Sequence, residues 1–170
     1  MKFVVFIVLV LALWAGLKHF GVAPGSNKAD IAAGKYHSDG YLEARVRFSA
    51  NGKTIDMVVV EEKPPLTDCQ DSARRQSLTA ACPAGLKCEV VQFGCTSKVD
   101  ARYTRLLTRQ PTHLAYTHAA IKDAGPPRSL ASVVWGLTVP ESLAFCQQMV
   151  SSSGLGKKEG ITLSCVEARG

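Results

Sequence analysis

All six cysteines, Cys69, Cys82, Cys88, Cys95, Cys146 and Cys165, lie downstream of a single apolar run at the amino terminus. An even set of cysteines behind an export-type segment reads as a disulfide framework closed in an oxidising compartment. Each bridge must bring two segments within bonding distance, so the fold has to satisfy several long-range contacts at once. Six cysteines allow fifteen pairings, and spacing does not choose among them. Cys146 with Cys165 would staple a helix to a strand. Cys82 with Cys88 would close a short loop, and Cys69 with Cys95 could close around it. Each bridge would contribute roughly 2–4 kcal/mol, chiefly by restricting the unfolded chain.

The apolar run is FVVFIVLVLALWAGL, Phe3 to Leu17, preceded by Lys2 and closed by Lys18 and His19. Its length suits the hydrophobic core of a signal peptide. A spanning helix wants about 20 residues, reached here only by continuing to Ala23 with Lys18 snorkelling to the headgroups. Gly21-Val22-Ala23 has the small-x-small form of a cleavage site, but Pro24 follows it, and Leu13-Trp14-Ala15 begins with a bulky residue. Residues 1–23 are therefore read as a single-span anchor, with a cleaved signal peptide as the alternative. Residues 24–36 form a linker and residues 37–170 an exported domain. The positive-inside rule places the amino terminus on the cytoplasmic side by a small margin. The expected setting is an inner membrane with the domain in the periplasm, or release there after cleavage.

The 170 residues suffice for one domain and are too few for a (β/α)₈ barrel, which takes about 250. With 46% apolar and 20% charged residues the chain is neither disordered, collagen-like nor a multi-pass membrane protein.

Within the exported part, Leu42, Ala44, Val46 and Phe48 alternate with Glu43, Arg45, Arg47 and Ser49, the period of a half-buried strand. Asn51-Gly52 is a two-residue hairpin turn, and Ile55 to Val60 make the deeper returning strand. Glu61, Glu62 and Lys63 end it before Pro64-Pro65. Thr67 to Cys82 reads as a helix, and Cys88 to Cys95 as a short strand with Val90 or Val91 and Phe93 inward. Ser97 to Arg109 can alternate as a strand through Ala101, Tyr103, Arg105 and Leu107, but the helical reading is preferred, with Ser97 and Asp100 as its capping box. Val99, Tyr103, Leu106 and Leu107 form its buried stripe. His113 to Ala120 is a strand or short helix, and Gly125-Pro126-Pro127 a turn. Leu130 to Leu137 reads as a strand or a buried segment. Thr138 with Glu141 caps the last helix, whose inner face is read as Leu143, Cys146, Gln147 and Val150. Ile161 to Val166 closes the chain as a strand. The expected fold is α+β: a small, mainly antiparallel sheet packed with two or three helices and held by disulfides.

The chemistry-bearing patterns are sparse. No glycine-rich phosphate loop, nucleophile elbow or zinc-protease helix occurs. The cysteine spacings are too wide for a zinc site, no Cys-x-x-Cys is present, and no metal or cofactor is expected. His113 and His118 are the candidate acid–base residues, with Asp56, Glu61 and Glu62 as possible partners. Arg102, Arg105 and Arg109 would form a basic ridge along one helix face, able to meet lipid headgroups, an envelope polymer or an acidic protein. Nucleic acid is not an expected partner in this compartment. The leading expectation is a non-catalytic envelope protein that binds a protein or an anionic ligand. The alternatives are an exported hydrolase with a histidine base, and an inhibitor or immunity-like protein for an exported enzyme.

Overall fold

The structure is a computed structural model that describes residues 36, 39–50, 52–70, 82, 87–122, 125–152 and 160–169. The expected anchor or signal peptide over 1–23 lies outside the described residues, as does the linker apart from Tyr36. Tyr36 already belongs to the folded unit, pairing with Pro65 in an isolated β-bridge.

Six strands form one antiparallel sheet: β1 (Tyr41–Ala50), β2 (Lys53–Glu62), β3 (Lys87–Thr96), β4 (Tyr116–Ile121), β5 (Arg128–Trp135) and β6 (Ile161–Val166). Their order is β3-β1-β2-β5-β4-β6. Three described helices accompany them: α1 (Leu66–Gln70), α2 (Ala101–Leu107) and α3 (Val139–Ser152). This is the expected disulfide-stabilised α+β architecture. The bridges join Cys69 to Cys95, Cys82 to Cys88 and Cys146 to Cys165. The first ties α1 to the edge strand β3, and the last ties α3 to the opposite edge strand β6.

The β1–β2 hairpin closes with Ala50 opposite Lys53, and Gly52 takes the left-handed φ of +76° that the turn requires. Helices cover both faces of the sheet. Ala44, Val46 and Phe48 of β1 join Met57, Val59 and Val134 in a cluster with Phe145 and Met149 of α3. On the other face Val58, Val60, Ala131, Val133 and Tyr116 pack against Tyr103, Leu106 and Leu107 of α2. A strand buried on both faces loses its apolar–polar alternation, which is why β2 is buried continuously from Asp56 to Glu61.

Some local expectations hold and others are corrected. The helix expected over residues 67–82 is described only as Leu66–Gln70; residues 71–81 fall outside the described residues, and Cys82 lies outside any helix. In β3, Val90 and Phe93 pack on the core while Val91 is exposed. The pairing with β1 slips at Arg45/Val46, so Val91 has no partner and forms a bulge. Helix α2 is capped by Asp100, not Ser97: its carboxylate accepts the Arg102 backbone N–H at 3.0 Å. The capping box of α3 forms, with the Glu141 carboxylate accepting both the backbone N–H and the hydroxyl of Thr138 at 2.9 Å. The buried face of α3 is Ser142, Phe145, Cys146 and Met149, and Gln147 is exposed. Ser142 is fixed inward by the residue just before β4, where the Ala115 N–H donates to Ser142 Oγ at 3.0 Å.

The strand β2 runs through the acidic pair and ends at Glu62. Glu61 stays in the ladder, buried, and accepts from Arg128 Nε at 3.0 Å. The Arg128 guanidinium also lies over the Tyr36 ring, 5.2 Å from its centroid.

Candidate ligand-binding face

On the α2 side of the sheet the odd residues of β1 face the even residues of β2. Counting back from the two-residue turn places Arg47 opposite Asp56, and Asp56 in turn lies opposite Trp135 of β5. Glu89 of the edge strand lies on the other side of Arg47. One polar row thus runs Glu89–Arg47–Asp56–Trp135 across four strands.

Asp56 collects both β1 arginines. Arg47 binds it through two donors, Nε to Oδ1 at 2.8 Å and Nη2 to Oδ2 at 3.1 Å. Arg45 Nε reaches Oδ2 at 3.2 Å and its Nη2 bonds the same oxygen. The bidentate Arg47 contact is the main reason the Asp56 carboxyl is held below its usual range; burial opposes this and Arg45 adds to it. The same hydrogen bond raises the Arg47 guanidinium. The arginine side chains remain about a third exposed, at 33% and 38%. Beside them, burial pushes the Glu43 carboxyl up, against the lowering fields of Arg102 and Arg45.

The three arginines expected to form one ridge are not collinear. Arg102 turns back on its own cap, with Nε 3.2 Å from Asp100, and lies 5.0 Å from the centroid of the Tyr103 ring. Arg105 is exposed on the last turn. Arg109 is outside the helix. It occupies the left-handed position after the Thr108 C-cap, at φ +60°. Its N–H bonds Leu106 O at 3.1 Å and the Gln110 N–H bonds Arg105 O at 2.9 Å. This is the Schellman pattern, usually completed by glycine. The reversal carries Arg109 towards β4, where its charge acts on Tyr116 and His118.

The two histidines are not brought together. His118 lies in the core, 3% exposed, between Ala131 and Ser164 on the neighbouring strands. Its Nε2–H donates to the Leu107 carbonyl at 3.1 Å, tying the end of α2 to β4. Burial depresses its pKa, and the Arg109 charge lowers it further; the Leu107 bond and Glu62 act the other way. His113 is exposed and stacks on Trp135, with centroids 5.4 Å apart. Neither imidazole ring hydrogen-bonds a Ser, Asp or Glu side chain among the described residues; the Ser164 hydroxyl donates to the His118 backbone carbonyl at 3.4 Å. Of the acids considered as partners, Asp56 holds the arginines and Glu61 holds Arg128. The placement of Arg47 opposite Asp56 follows from the hairpin turn by counting register; the placement of Glu89 and Trp135 in that row and the burial of His118 had no such signal.

His118 makes stability depend on pH. Its folded pKa lies below the unfolded value, near 6.5, so the unfolded chain takes up the proton first. Stability is fully present above about pH 6.5 and declines as pH falls from there towards the folded pKa. The limiting slope for one proton is about 1.4 kcal/mol per pH unit. Denaturant midpoints measured from about pH 8 to 5 are expected to fall in this window and to flatten in His118→Gln. An unchanged slope in that variant contradicts the assignment.

Among the described residues no helix is long and apolar enough to cross a membrane. No group of three His, Cys, Asp or Glu among them could hold a metal ion. No family model, curated protein or solved structure matches this chain.

Proposed function

We propose that this chain is an exported, disulfide-stabilised binding domain on the periplasmic side of an inner membrane, held there by residues 3–23 or released after cleavage. It acts by engaging an anionic partner rather than by turnover. The observation that carries the reading is the pairing of all six cysteines behind the one apolar run. Three bridges are stable in an oxidising compartment and would be reduced by cytosolic thiols. Support for binding comes from the α2 face, where Arg45, Arg47, Arg102 and Arg105 keep charged atoms at the surface. The histidine-base alternative draws no support from His118, whose Nε2 is committed to a backbone carbonyl.

The test is the intact mass of protein isolated from cells after alkylation under denaturing, non-reducing conditions, combined with protease treatment of spheroplasts. Export predicts no alkylated cysteine and digestion of the domain from outside. Six alkylated cysteines, or a domain protected until the membrane is lysed, would overturn it.

A further inference from the structure

We infer that the Arg45–Arg47 pair, set side by side on Asp56, is a seat for a phosphate group. The inference takes from the proposed function only that the α2 face is the working surface.

Each arginine spends Nε and one Nη2 hydrogen on Asp56. A guanidinium carries five N–H donors, so about three remain on each side chain. These are the end-on edges, which face away from the carboxylate. Neither arginine has another side-chain hydrogen bond or ion pair among the described residues. Glu89 lies opposite Arg47 in register without an ion pair between them, and Arg102 is engaged by Asp100. Two arginines and one aspartate leave one net positive charge on the three groups, with the carboxylates of Glu43 and Glu89 beside them acting on Arg45 and Arg47.

Asp56 does what an outer-shell residue does at a built site: it fixes the orientation of the groups that touch the ligand. Both Nη2 atoms bond the same Oδ2, so the guanidiniums sit adjacent with their rotamers restrained. An isolated arginine on a strand would lose that side-chain freedom on binding; this pair has lost it on folding.

The choice of phosphate follows from donor count. One guanidinium fork satisfies the two oxygens of a carboxylate, as Arg47 does with Asp56. Two adjacent forks with about six spare N–H donors match an anion with three or four acceptor oxygens. Partial exposure of both side chains gives such a group access without opening the core.

The experiment uses the oxidised full chain, labelled with ¹⁵N. The Arg45 and Arg47 Nε–Hε resonances are followed on titration with inorganic phosphate, then with glycerol 3-phosphate, against chloride at equal ionic strength. Saturable shifts of both resonances with phosphate and not with chloride are expected. Arg45→Gln and Arg47→Gln are each expected to weaken binding at least about tenfold. Arg47→Lys, which keeps the charge and loses the fork, is expected to weaken it to a similar degree. Asp56→Asn, a change at a positioning residue, is expected to weaken it less while broadening the distribution of arginine rotamers. Unfolding curves and the mass of the three-disulfide form report whether each variant folds, and the wild-type titration needs no variant at all. Vesicles of phosphatidylglycerol, compared with phosphatidylcholine, identify the source. Displacement of bound phosphate by the anionic vesicles alone assigns the seat to a lipid headgroup, and its absence assigns it to a soluble phosphoester. A flat titration, equal shifts with chloride, or full affinity in both glutamine variants overturns the phosphate seat. The mass and protease experiment is independent of that result, so the exported-domain reading stands or falls separately.

Discussion

Replacing Arg128 by methionine is expected to lower the unfolding free energy by about 3–5 kcal/mol, the cost of leaving one member of a buried ion pair behind. The Arg128 and Glu61 side chains are 3% and 9% exposed, with Nε and Oε1 3.0 Å apart. Arg128 stands on β5 and Glu61 on β2, 67 residues apart in sequence. Removing the guanidinium takes the Arg128 ion pair from a buried carboxylate, which must then hold its charge with less support or take up a proton. Either route costs stability, and the second makes the loss pH-dependent. For a domain of this size the penalty corresponds to a fall in Tm of roughly 10–18 °C. The double replacement Glu61→Leu/Arg128→Met is expected to recover most of it, because two apolar groups of similar volume carry no desolvation penalty. Denaturant unfolding of the single and double variants measures both. If the double variant is no more stable than Arg128→Met, the cost lies in the Tyr36 packing and not in the lost ion pair.

Opening the Cys146–Cys165 bridge as Cys146→Ala/Cys165→Ala is expected to cost about 3 kcal/mol from released chain entropy across its 19-residue separation. The bridge also holds α3 against an edge strand that has a ladder partner on one side only. Ser142 and Ala115 give the helix a second attachment, to the segment leading into β4, so α3 stays docked while the β6 edge opens first. Native-state hydrogen exchange is expected to show faster exchange in Ile161–Val166 with β2 and β5 unchanged. The Cys82→Ala/Cys88→Ala pair, with a separation of 6, is expected to lose less, about 2 kcal/mol. A larger loss from the shorter loop would show that local packing, not loop closure, sets the contribution.

The residues differ in how far their place could be read before the fold was known. The β1–β2 hairpin was legible because alternation and turn chemistry act over a few residues. The α3 cap was legible for the same reason, since Thr138 and Glu141 satisfy each other within one turn. Ser97 and Asp100 are both good caps, and local chemistry does not choose between them. The choice falls to the docking of Val99, Tyr103 and Leu106 into the sheet, which starts the helix at Ala101. Arg109 continues the helical spacing of Arg102 and Arg105, yet the Schellman turn ends the helix before it. His118 sits in a strand whose two faces are both covered, so its polarity said nothing about its burial.

By itself the sequence determined the class of fold, the two-residue hairpin and its register, the helix-start chemistry of α3, and an even set of cysteines able to close into bridges. These rest on contacts within a turn or on counting along a strand. Which cysteines pair, which carboxylate is buried with Arg128, and which arginines share Asp56 as a working cluster were decided by the tertiary structure. The reason is common to all three: burial and pairing depend on neighbours supplied by distant segments. For Glu61 that neighbour is Arg128, brought across the sheet by the pairing of β2 with β5, and no linear pattern around Glu61 encodes it.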